Sequence, residues 1–119
     1  MSILSTVQDY YPKVDAGEVD WVLRLFAEDG IYQRADACYE GIREITDFYE
    51  NARKITGKHA VEEIFAQGHE VVVNGVFEGF GADGAAKKIA FADFWTFNEQ
   101  GLVALRKTFL AIGADYVKD

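Results

Sequence analysis

KKIAFADFWTFN, residues 87–98, decides the fold class. Side chains on a β-strand alternate between its two faces with a period of two. One face of this stretch therefore carries Ile89, Phe91, Asp93, Trp95 and Phe97, and the other carries Ala90, Ala92, Phe94 and Thr96. Gly81-Ala82-Asp83-Gly84 precedes it and Glu99-Gln100-Gly101 follows it, and both read as turns between paired strands. Working outward, residues 59–66 and 71–80 form a pair of strands across Gln67-Gly68-His69, and residues 102–110 form the last strand.

Upstream of His59 the spacing of apolar residues changes. Ile3, Val7, Tyr10, Tyr11 and Val14 lie on one face of a helix over residues 2–15. Pro12 is expected to kink that helix or end it early, because it lacks a donor and crowds the preceding turn. Ala16-Gly17 is a stop signal. A shorter helix carries Val19, Val22, Leu23 and Phe26, Glu28-Asp29-Gly30 makes a turn, and residues 31–34 form a short strand. A third helix opens at Gly41, turns Ile42, Ile45, Phe48, Tyr49 and Ala52 inward, and ends near Gly57. Helices first and strands second define an α+β class, with one curved antiparallel sheet and three helices packed on its concave side. Residues 1–119 form one domain of ordinary size.

Half of the residues are hydrophobic and 14% are aromatic, which is enough for a real core. The net charge of -8 argues against nucleic acid and anionic membrane surfaces as partners. A lone cysteine, Cys38, makes neither an internal disulfide nor a cysteine-based zinc site. No signal-peptide pattern and no apolar run near the ~20 residues of a membrane span is present, so the expected location is cytoplasmic. No phosphate loop, dinucleotide fingerprint or G-x-S-x-G motif occurs, and no cofactor is expected. His59 and His69 are too far apart to imply a metal, and His69 falls in a turn.

Asp93 stands alone among large apolar side chains on the face suited to a core. An unpaired charge there is strongly unfavourable. The carboxyl group is therefore protonated, or paired with a cation or several donors, or turned to solvent by a bulge.

Three segments carry a resemblance: YYPKVDAGEVDWVLRLFAEDGIY, GIREITDFYENARK and FADFWTFNEQGLVALRKTF. Together they make the chain similar to the ketosteroid isomerase and SnoaL-like polyketide cyclase group of the nuclear transport factor 2-like superfamily, whose cystatin-like fold encloses a cone-shaped pocket. In ketosteroid isomerases a tyrosine and a protonated aspartic acid form an oxyanion hole, and a second aspartate moves the proton. The resemblance places Asp93 on the oxyanion-hole acid, Tyr10 on the oxyanion-hole tyrosine and Tyr49 on a supporting tyrosine. Eight residues after Phe26, where the proton-moving aspartate belongs, the chain has Arg34. Arginine stays protonated and cannot abstract a proton. Asp36 points the same way if that strand continues, and otherwise lies in a surface loop.

An inward Arg34 would favour an ionised Asp93 or bind an anionic group. Limonene-epoxide-hydrolase relatives activate water with an Asp–Arg–Asp set, for which Arg34, Asp36 and Asp93 are the right residue types. His59 suits proton transfer near neutral pH, and the resemblance turns it toward the pocket. Phe91 and Trp95 are expected to line that pocket beside Tyr49. The expected activity is acid/base chemistry on a small, largely apolar carbonyl compound, by Asp93, Tyr10 and either His59 or Asp36. Water activation by Arg34 and Asp93, or non-catalytic binding, are the alternatives. The resemblance also implies a homodimer through the outer sheet face, where Phe94, Val72, Val76 and Phe80 would otherwise meet water.

Overall fold

The structure is a computed structural model that describes residues 2–111. Helix α1 (Ile3–Asp15) is capped by Ser2, whose hydroxyl accepts the Ser5 amide, and it buries Val7, Tyr10, Tyr11 and Val14. It does not stop at Pro12. The proline ring faces solvent, only one hydrogen bond of the last turn is missing, and the buried tyrosines hold the helix to the sheet. Helix α2 (Val19–Leu23) is short, and Phe26, expected on it, opens strand β1 instead (Phe26–Arg34).

The expected turn at Glu28-Asp29-Gly30 lies inside β1, where the register shifts between Phe26 and Ile31. Gly30 suits this irregularity because a Cβ there would fall 2.9 Å from the Val103 carbonyl oxygen. A strand absent from the sequence reading, β2 (Ala37–Glu40), returns along β1. Helix α3 (Gly41–Asp47) widens into a π-turn over Phe48–Ala52. That widening lets the neighbours Phe48 and Tyr49 both point inward.

Strands β3 (Thr56–Gln67), β4 (Glu70–Phe80), β5 (Ala86–Phe97) and β6 (Val103–Ala111) complete a six-stranded sheet in the order β2-β1-β6-β5-β4-β3. The sheet is mixed rather than wholly antiparallel, because β1 and β6 run parallel. The chain leaves β1 and β2 through α3, crosses to the far edge at β3, and returns strand by strand to β1. The core lies between the helices and the inner face of the sheet, with Trp95, Tyr11, Ile45 and Val73 fully buried.

Candidate active site

Strand β5 shows the alternation its sequence implies: Phe91, Asp93, Trp95 and Phe97 are buried, and Phe94 is exposed. Asp93 is 1% exposed. Its Oδ2 accepts hydrogen bonds from the Tyr11 hydroxyl at 2.5 Å and from Arg106 Nη2 at 3.0 Å. Its Oδ1 accepts one from the Thr108 hydroxyl at 2.5 Å. Thr108 lies directly opposite Asp93 on β6, and Arg106 lies opposite Trp95. The directions of the two bonds to Oδ2 are fixed. A guanidinium only donates, and the Trp95 indole N–H donates to the Tyr11 oxygen at 3.3 Å, so the Tyr11 proton goes to Asp93. Asp93 is therefore a paired carboxylate, the second of the three outcomes its burial allowed.

Arg106 is itself enclosed. Its guanidinium carbon sits 4.5 Å from the Tyr10 ring centre, 4.6 Å from Tyr32 and 4.5 Å from Trp95. Nη1 donates to the Tyr10 hydroxyl at 2.6 Å and to the Tyr49 hydroxyl at 2.8 Å, and those two hydroxyls are 2.7 Å apart. Burial alone would push the guanidinium down, but the Asp93 carboxylate and the surrounding phenol oxygens outweigh it and hold it above its ordinary value. The phenols move the other way. Burial, with the Asp93 charge, raises Tyr11 well above its ordinary value, and burial likewise raises Tyr49.

Burial pushes Tyr32 from 10.0 up to about 12. An unfolded chain releases this proton near pH 10, whereas the folded chain keeps it to about 12. The folded state thus binds more protons in that window, and its stability falls as pH rises through it. Unfolding free energy should drop by about 3 kcal/mol from Tyr32 between those limits, with Tyr11 and Tyr49 acting in the same direction. Urea unfolding at stepped pH tests this. A Tyr32→Phe chain with the same alkaline slope as wild type would remove Tyr32 from the effect.

A second polar pair stands apart from this cluster. His59 on β3 meets Asp15 at the end of α1: Asp15 Oδ1 is 2.6 Å from His59 Nδ1, and Oδ2 accepts the His59 backbone amide at 2.8 Å. The imidazole packs among Tyr11, Phe77 and Phe91, with ring centres 4.9–5.4 Å apart. Holding Nδ1 as the donor to a carboxylate leaves Nε2 as the ring atom able to accept a proton.

The two sets of groups meet at one cavity of about 60 Å³, whose polar wall includes Tyr10, Arg34, His59, Asp93, Arg106 and Thr108. Phe91 lines it as well. Trp95 and Tyr49 do not: both are buried behind the wall, where they pack against or bond to Arg106. Arg34 lies at the rim with its guanidinium over the Phe48 ring at 5.3 Å, and makes no ion pair with Asp93. Strand β1 ends at Arg34, Ala35 takes a positive φ of 52°, and Asp36 is exposed in the turn rather than in the cavity. Sequence reasoning missed Arg106, Thr108, Tyr11 and Asp15. Among the described residues, no group of three His, Cys, Asp or Glu side chains is placed to hold a metal. No helix among them is long and apolar enough to cross a membrane.

A mixed, curved sheet wrapped by short helices around a polar cavity defines an α+β protein of the nuclear transport factor 2-like class. The SnoaL-like domain matches residues 7–106, and the chain belongs to that family. An NTF2-like protein of unknown function from Burkholderia pseudomallei superposes with a TM-score of 0.82 at 20% identity, over 94% of this chain and 93% of that one. A protein proposed to be a SnoaL-like polyketide cyclase from Shewanella denitrificans superposes with a TM-score of 0.77 at 15% identity, over 92% and 90%. An LEH-like epoxide hydrolase of M. tuberculosis gives 0.79 at 12% identity, over 92% and 83%. No curated protein matches the chain significantly in sequence.

Proposed function

We propose that the chain is an enzyme that moves a proton on a small, largely apolar carbonyl compound, with His59 as the base and Tyr10 as the hydrogen-bond donor to the carbonyl oxygen. The observation that carries this reading is that both side chains border the same cavity, each backed by its own charged partner. The Tyr10 and Tyr49 oxygens both accept from Arg106 and share one hydrogen bond between them. With Tyr49 as donor in that bond, the Tyr10 proton is free to point into the cavity. A network of this kind strengthens the last donor in the chain.

His59 Nε2 takes the proton α to the carbonyl. The C–H electron pair becomes the enolate double bond, and the carbonyl pair moves onto the oxygen held by Tyr10. In a β,γ-unsaturated substrate, return of the proton from His59 to the γ-carbon isomerises it; where the enolate instead attacks a second carbonyl, the new C–C bond closes a ring and His59 gives its proton to the alkoxide left on that carbonyl. Asp93, with three donors on its two oxygens, is a positioning residue for Arg106 and Tyr11 rather than the base. The Asp93–Arg106 pair favours a second reading, water activation on an epoxide, but among the described residues the cluster contains no second carboxylate. Proton NMR in heavy water decides between them. Protein-dependent deuterium uptake at the α-carbons of methyl 4-oxopentanoate supports the first reading, whereas epoxide opening with no uptake by any ketone supports the second.

We also propose that two copies pair through the outer sheet face. Phe65, Phe80, Phe94 and Phe109 are 43–64% exposed there, and Phe94 and Phe109 already meet edge to face at 5.7 Å. Neutral rings contribute no charge repulsion at the contact in a chain of net charge -8. Sedimentation at micromolar concentration should show a dimer, and Phe94→Glu should shift it to monomer. A wild-type monomer would sink the pairing.

A further inference from the structure

We infer that the rim of the cavity is a carboxylate-binding site formed by Arg34 and Arg53, so that the substrate is a short oxo acid rather than a neutral ketone. The inference rests on reading the cavity as a substrate site. Both arginines border the cavity and both are half-buried. They arrive from different elements: Arg34 ends β1, and Arg53 follows the π-turn, its backbone amide donating to the Phe48 carbonyl at 2.8 Å. Two arginine side chains from separate elements thus border one cavity.

Among the described residues, neither has an acidic partner. The chain has 20 acidic residues against 12 basic ones, so carboxylates for pairing are abundant. Deeper in the cavity Asp93 and Arg106 cancel each other, and Asp15 is held by His59. With His59 neutral, Asp15 is the one negative charge among the described residues left unbalanced beside the cavity, and the two arginines outweigh it on a protein whose overall field repels anions. The Arg34 guanidinium carbon lies 5.3 Å from the Phe48 ring centre, a cation–π contact that does not itself use the N–H donors. A carboxylate matches the fork of those donors. The same cavity is also lined by Ile55, Phe77, Ile89, Phe91 and Leu110, which suits a short hydrocarbon spacer. A cavity of about 60 Å³ limits that spacer to a few carbons.

Isothermal titration with 4-oxopentanoate and its methyl ester tests the inference, since the two differ in the charge and not in the ketone. The acid should bind at least about tenfold tighter than the ester at low salt, and the preference should vanish in an Arg34→Gln/Arg53→Gln chain whose circular dichroism matches wild type. Equal binding of acid and ester, a preference that survives the double substitution, or no binding of the acid would each overturn it. Deuterium uptake separates this outcome from that of the reaction. Uptake by the ester with no acid preference leaves the roles of Tyr10 and His59 standing. Arginine-dependent binding of the acid without uptake removes those roles and leaves the anion site.

Discussion

Replacing Arg106 with methionine should lower the free energy of unfolding by roughly 3–5 kcal/mol. The substitution puts an unbranched apolar side chain where the guanidinium lay among Tyr10, Tyr32 and Trp95, and removes every hydrogen bond the guanidinium makes. Asp93 would keep Tyr11 and Thr108 as neutral donors, at a position 1% exposed, with no compensating cation. Leaving one member of a buried pair behind costs far more than the net contribution of the pair. The double change Arg106→Met/Asp93→Leu should therefore recover most of the loss, because it removes the stranded charge as well. Urea unfolding of the three chains measures both quantities. A loss below about 1 kcal/mol in the single variant would show that Asp93 does not depend on Arg106 for its charge.

His59→Gln should lower protein-dependent deuterium uptake by roughly 10²–10⁴-fold, the usual contribution of a positioned base. Glutamine is close in size and can still bond to Asp15, but it cannot take up a proton near neutral pH. The ring neighbours Tyr11, Phe77 and Phe91 remain, so the cavity wall should persist. Thermal unfolding of the variant checks that it does. Uptake within about threefold of wild type, in a folded variant, would take His59 out of the reaction.

The fold was legible wherever one face of an element is uniformly buried. Residues 87–98 alternate strictly, and the structure buries the face that the sequence selects. The first helix was equally readable, since Val7, Tyr10, Tyr11 and Val14 recur at helical spacing. Strand β2 was not, because residues 37–40 form a short edge strand with no fully buried side chain and carry little pattern. The mixed character of the sheet was hidden as well. Which strand follows β1 in space depends on the crossover through α3, and local sequence does not encode it.

Asp93 marks the division between the two levels. Its place on a buried apolar face, and hence the need for a partner, followed from the sequence and the period of a strand. The partner did not. In β6, Thr96 faces Leu105 and Phe97 faces Val103, so Ala104 is an extra residue and the strand bulges. A one-residue bulge exchanges inside for outside along the rest of a strand. Plain alternation from the buried Val103 would send Leu105, Lys107 and Phe109 inward and Arg106 to solvent. The bulge instead buries Arg106 and Thr108 and leaves Phe109 56% exposed. The arginine that sets the charge of Asp93 is thus one that the sequence pattern points outward, and pairing between β5 and β6 turned it in.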